Sequence, residues 1–80
     1  MRVESASGRV EVVLSLAAAG PVRVAVADAL GREVAVVLDG AAAQGETVAP
    51  VETGAWPAGV YLVRAVVPGR LATARLVVAR

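Results

Sequence analysis

The chain has 80 residues and a net charge of +1, from eight arginines against seven acids, with no lysine, histidine or cysteine. The missing residues exclude disulfides, thiolate metal ligands, imidazole bases, Ser-His-Asp and Cys-His nucleophile pairs and Schiff-base chemistry. Hydrophobic residues make up 58% of the chain, yet most are Ala or Val and there is no Phe, so the length and composition allow one domain with a thin core.

No run approaches the 18 apolar residues of a membrane span, since charges and glycines interrupt every stretch, and no transmembrane segment is expected. The opening Met-Arg-Val-Glu-Ser lacks a signal-peptide pattern, which suits either a cytosolic chain or one domain of a larger exported protein. Every acid precedes Thr53, whereas Arg64, Arg70, Arg75 and Arg80 follow it. Without an aromatic platform or a denser basic cluster, this asymmetry reads as a solvated strand face, and no nucleic-acid partner is expected.

Taken in order, Arg9 to Leu16 alternates, with Val10, Val12, Leu14 and Leu16 on one face and Arg9, Glu11, Val13 and Ser15 on the other, as in a half-buried strand. Ala17 to Gly20 is too short for a helix and is closed by Gly20-Pro21. Val22 to Asp28 alternates again, with Val22, Val24 and Val26 inward and Arg23, Ala25 and Ala27 outward. A three-residue loop, Ala29-Leu30-Gly31, with Gly31 in the left-handed region, would set Asp28 against Arg32. The register that follows pairs Val26 with Val34, Val24 with Val36 and Val22 with Leu38.

Asp39-Gly40 ends that strand, and Ala41 to Gly45 reads as a loop. Glu46 to Glu52 is a further strand whose Pro50 marks an edge or a break. Trp56-Pro57-Ala58-Gly59 is a turn leading into a strand from Val60 to Val67, with Tyr61, Val63, Ala65 and Val67 inward and Leu62, Arg64 and Val66 outward. Pro68-Gly69-Arg70-Leu71 reads as a two-residue hairpin loop with Gly69 first of the central pair. That register pairs Val67 with Ala72, Ala65 with Ala74, Val63 with Leu76 and Tyr61 with Val78, and sets Arg64 against Arg75. Six strands, with a seventh from residues 1 to 8 or the Ala41 loop, predict an all-β antiparallel sandwich, with a small open barrel as the alternative.

Carboxylate pairs are the remaining catalytic or calcium-binding possibility, Asp28 with Glu33 or Asp39 with Glu46, and neither shows ligand-like spacing. No phosphate loop is present. No cofactor and no enzymatic activity are expected. Trp56 is a possible ligand contact, although its ring also suits the end of the core with its N–H hydrogen-bonded.

The run from Val22 to Val34, with Asp28, Gly31 and Arg32 in place, resembles the "V-x-V-x-V-x-D-x-x-G-R-x-V" hairpin of the C-terminal sorting domains of the type IX secretion system. Ala58-Gly59-Val60-Tyr61-Leu62-Val63-Arg64, Gly69 and Thr73-Ala74-Arg75-Leu76-Val77-Val78 resemble the close of the same domains. The matches span about residues 9 to 80 in the family's order. Ala27 stands where an aromatic residue is common, and the Asn-Pro-Phe-like opening of such domains is missing from residues 1 to 8. The immunoglobulin-like domain of flagellar hook-capping proteins is also similar.

The resemblance implies an immunoglobulin-like β-sandwich of six or seven strands, residues 1–80 forming the C-terminal module of a larger exported bacterial protein at the cell surface or outside the cell. It implies an outer-membrane secretion translocon and a surface peptidase as partners, and a non-catalytic sorting signal carried by Asp28, Gly31, Arg32, Gly59, Tyr61, Gly69, Arg75, Leu76, Val77 and Val78. The alternatives are a carbohydrate- or cell-surface-binding module that uses Trp56, and a structural spacer or homo-oligomer through Val13, Val37, Leu62 and Val66 on outward faces.

Overall fold

A computed structural model describes residues 1–6 and 9–79; Ser7, Gly8 and Arg80 lie outside the described residues. The described residues form seven strands: β1 (Arg2–Ala6), β2 (Arg9–Leu16), β3 (Gly20–Ala27), β4 (Glu33–Ala42), β5 (Gly45–Val51), β6 (Gly59–Val67) and β7 (Arg70–Val78). They make two antiparallel sheets, ordered β1-β2-β5 and β4-β3-β6-β7. The chain is thus an all-β sandwich, and its seventh strand comes from the N-terminal residues rather than the Ala41 segment.

The core follows from alternation. Val10, Val12, Leu14 and Leu16 of β2 turn inward against Val22, Val24 and Val26 of β3 and Tyr61, Val63, Ala65 and Val67 of β6, all of them buried. Leu76 and Val78 complete it from β7. Val13, expected outward, is also buried. It lies on the middle strand of its sheet, directly between Arg2 of β1 and Val48 of β5, whose side chains flank it on the outer face. Ala25 and Ala27, likewise expected outward, are buried; these short methyls on β3 sit between longer side chains, Ala25 between Val36 and Arg64 and Ala27 between Glu33 and Leu62.

The β3–β4 register departs from the expected one. Val26 pairs with Ala35, Val24 with Leu38 and Val22 with Gly40, through shifts between Val26 and Ala27 and between Val24 and Ala25. Two bulges turn Val37 towards the core and leave Val36 48% exposed. The run Val34-Ala35-Val36-Val37-Leu38 is apolar at every position, so alternation cannot choose a register, and an edge strand tolerates bulges. β4 then continues to Ala42, where a loop was expected, because Ala41 and Ala42 pair with Pro21 and Gly20. β5 behaves as anticipated: among the described residues it pairs with β2 alone, and Pro50 lies opposite Glu11 at the sheet edge.

The β6–β7 hairpin slides by two residues from expectation. Val67 pairs with Arg70, Ala65 with Ala72, Val63 with Ala74 and Tyr61 with Leu76. Pro68 and Gly69 form the loop, with Gly69 second and at φ +80°. Proline presets the first central position of such a turn and glycine supplies the positive φ of the second. A shift of two preserves which side chains face inward, so the core expectation survives. Arg64 faces Thr73 and Arg75 faces Leu62, and the expected arginine pair does not form across the ladder.

Gly20 ties the β6–β7 turn to β3, since a Cβ there would stand 2.7 Å from Pro68 Cγ. Gly20→Ala is expected to cost about 1–3 kcal/mol through overpacking. Urea denaturation of the single variants and of the Gly20→Ala/Pro68→Ala double variant checks this, with a coupling that relieves the Gly20→Ala defect.

Candidate functional site

The β3–β4 turn is built on one side chain. Asp28 Oδ1 accepts hydrogen bonds from the backbone N–H of Leu30 at 2.9 Å and of Arg32 at 3.0 Å, and Oδ2 accepts one from Arg32 Nε at 3.0 Å. Arg32 Nη2 completes a two-pronged ion pair at 2.9 Å. The backbone closes the same loop, with Asp28 N donating to Arg32 O and Gly31 N to Asp28 O. Gly31, at φ +84°, supplies the left-handed position, so the three-residue loop forms as its sequence requires. Leu30 stands 79% exposed at its tip.

Beside this turn, at the start of β6, Tyr61 lies in the core and its hydroxyl donates to Pro57 O at 2.7 Å. A buried phenol needs such a partner, and the four-residue return over Pro57-Ala58-Gly59-Val60 supplies it. Trp56 packs half-buried against the core, with its ring centroid 5.1 Å from that of Tyr61 and the planes tilted by 38°. The Trp56 N–H of the backbone donates to Thr53 O at 3.0 Å. The tyrosine hydrogen bond was not anticipated from sequence; the Pro57/Tyr61 spacing at the entrance to a strand is the signal that carries it.

Asp28, Ala29 and Gly31 on one side and Val60, Tyr61, Leu62, Arg64 and Arg75 on the other enclose an open groove of about 250 Å³. An adjoining hollow shares Asp28 and Tyr61 and reaches Leu30, Pro57 and Gly59. The fold thus gathers Asp28, Gly31, Gly59, Tyr61 and Arg75 at one end of the four-stranded sheet, with Arg32 held there by Asp28. Val77 lies opposite Val60 on the outer face, whereas Leu76 and Val78 are interior. Gly69 is at the far end of β6, about 26 Å away by strand rise. It borders a larger concavity, 540 Å³, whose lining includes Arg70 and no carboxylate.

Among the described residues, several charged groups of this end are held in ion pairs. Arg23 grips Glu33 with two hydrogen bonds, at 3.0 and 2.6 Å, and reaches Asp39 at 3.9 Å. The hydrogen bond to Arg23 holds the Glu33 carboxyl below its ordinary value against partial desolvation, helped by the charges of Arg23 and Arg64. Partial burial pushes the Asp28 carboxyl up, but the combined hydrogen bonds from Arg32 and Leu30, with the Arg32 charge, outweigh it and hold the group low. Asp28 and Glu33 therefore serve different arginines, while Asp39 and Glu46 belong to different sheets. Among the described residues, Arg64 and Arg75 have no carboxylate within 4.0 Å, and no group of three or more potential metal ligands occurs. The arrangement can present an apolar groove flanked by two guanidinium groups.

No family model, curated protein or solved structure matches this chain.

Two outcomes follow from the geometry. Tyr61→Phe keeps the ring contact with Trp56 and leaves Pro57 O without its donor, so chemical denaturation should register a loss of about 1–2 kcal/mol. Asp28 and Glu33 have folded-state values below those of the unfolded chain, so the stability they contribute is full above the ordinary carboxylate range and is lost as the pH falls through the lowered values. The urea midpoint of Asp28→Asn should accordingly start lower at neutral pH and fall less on acidification than that of the parent.

Proposed function

We propose that this domain is a non-catalytic secretion module that directs an exported bacterial protein through an outer-membrane translocon to the cell surface, as the C-terminal sorting domains of the type IX system do. The observation that carries the reading is the convergence of motif residues far apart in the chain. Asp28 and Gly31 from one hairpin, Gly59 and Tyr61 from the start of β6, and Arg75 from β7 border one pair of adjoining hollows. A surface read by a receptor needs such an assembled patch, which no single stretch of sequence could provide.

The strand order supports an immunoglobulin-like sandwich. Lettered A, B, C, C′, E, F and G in chain order, the strands give A-B-E against C′-C-F-G, compatible with that fold's pairing rules. The hydrogen bond from Tyr61 at the start of the sixth strand to Pro57 four residues upstream is similar to the tyrosine corner of such domains. The packing of Trp56 on Tyr61 and the core weighs against a flat sugar-binding platform.

Fusion of residues 1–80 to a periplasmic reporter in a host with the secretion system is expected to place the reporter on the cell surface. Arg75→Glu, at an exposed position, should abolish that transfer with the β-sheet circular dichroism of the isolated domain unchanged. Retention of the parent fusion in the periplasm sinks the reading.

A further inference from the structure

Each sheet has two outer strands, and their edges differ. β4 is interrupted by two register shifts and carries Glu33 and Asp39; β5 carries Pro50, which has no N–H to offer; β1 has only five residues. These are the devices by which proteins blunt a sheet edge. β7 carries charges as well, Arg70 and Arg75, but it has no proline, no register shift and no shortened ladder. It runs nine residues in unbroken register with β6, and β6 is its only ladder partner among the described residues. Because Val67 and Arg70 flank a two-residue turn and form its closing hydrogen-bonded pair, the backbone groups of Ala72, Ala74 and Leu76 point to β6, and those of Leu71, Thr73, Arg75 and Val77 point to the open edge.

We propose that β7 is a self-association edge, at which a second copy of this chain adds its own β7 antiparallel, about a two-fold axis at Ala74, to make a continuous eight-stranded sheet. Ala74 is the midpoint of Arg70–Val78, so this register overlaps the whole strand. It brings each open-edge residue against another: Leu71 hydrogen-bonds with Val77 of the second copy and Thr73 with Arg75. Leu71 and Val77 are 63% and 56% exposed, and the register sets these apolar side chains against each other on the outer face. The charge pattern selects the same alignment: Arg75 meets neutral Thr73 and Arg70 meets Val78. Sliding by two residues in one direction sets Arg75 against Arg75, and in the other sets Arg75 against Leu71 and leaves Val77 overhanging. Sliding by one would pair open groups with groups already bonded to β6. The contact is isologous and closes as a dimer. Arg64 and Arg75 of both copies gather near the axis, so salt screens their repulsion and strengthens the pairing. This inference is independent of the export reading, since it needs no secretion machinery.

Sedimentation equilibrium of the 80-residue chain should show a monomer–dimer equilibrium that tightens as salt is raised. Thr73→Pro removes an edge N–H and leaves the β6 ladder intact, and should give a monomer with the parent's β-sheet circular dichroism. Single-cysteine variants at positions 73, 74 and 75, oxidised in a chain with no native cysteine, locate the axis: Ala74→Cys should cross-link fastest. A strict monomer at high concentration, or an undiminished dimer in folded Thr73→Pro, overturns the proposal. So does faster cross-linking by Thr73→Cys or Arg75→Cys. Should Thr73→Pro not fold, the cysteine series decides alone.

Discussion

Everything in this molecule depends on bringing the inward row of β2 against the inward rows of β3 and β6. Val12 and Leu14 meet Val24, Val26 and Val63 there, and these are the most fully buried of the larger side chains. With no phenylalanine to span the interior, the sheets must lie close, and each small side chain contributes only the free energy of its own modest area. That constraint explains why Tyr61 matters. It is a large inward residue in a core of valine, leucine and alanine, and its hydroxyl can be buried only where a backbone carbonyl is already at hand.

Pro57 O meets that need, and the consequences run outward from it. The return of chain from Pro57 to Tyr61 fixes where β6 begins and seats Trp56 against the tyrosine ring. It also brings that corner beside the Asp28 turn, because β3 and β6 are neighbours and Ala27 pairs with Leu62. The end of the sheet is therefore organised by two local hydrogen-bonded units, each sufficient to shape its own loop. The groove between them follows from their adjacency.

This division separates the motif residues by physical task. Asp28, Gly31 and Arg32 build a turn, Gly69 builds another, Tyr61 anchors a corner, and Leu76 and Val78 fill the interior. Arg75 and Val77 have no such internal task, and together with Arg64 they give the outer face of β6 and β7 an apolar and cationic character. Recognition is what such a face can perform. The carboxylates nearby are already held by Arg32 and Arg23, whose hydrogen bonds and charges lower them below their ordinary values.

The sequence by itself determined the strands with clean alternation, the face that each turns inward, and the loop closed by Asp28 and Gly31, because side-chain period and local turn chemistry act over a few residues. The exposed edge of β5 was legible in Pro50 for the same reason. Register was decided only by the tertiary structure. The all-apolar run from Val34 to Leu38 offered several pairings of nearly equal merit, and packing against the core chose the bulged one; Pro68-Gly69 could close a turn in two ways, and the ladder with β6 selected between them. The burial of Val13, Ala25 and Ala27, the approach of Pro68 to Gly20 and the reach of Tyr61 to Pro57 arise from neighbouring strands and from the path of the chain into β6. Such contacts depend on which segments become adjacent in space, a property that alternation along one strand does not encode.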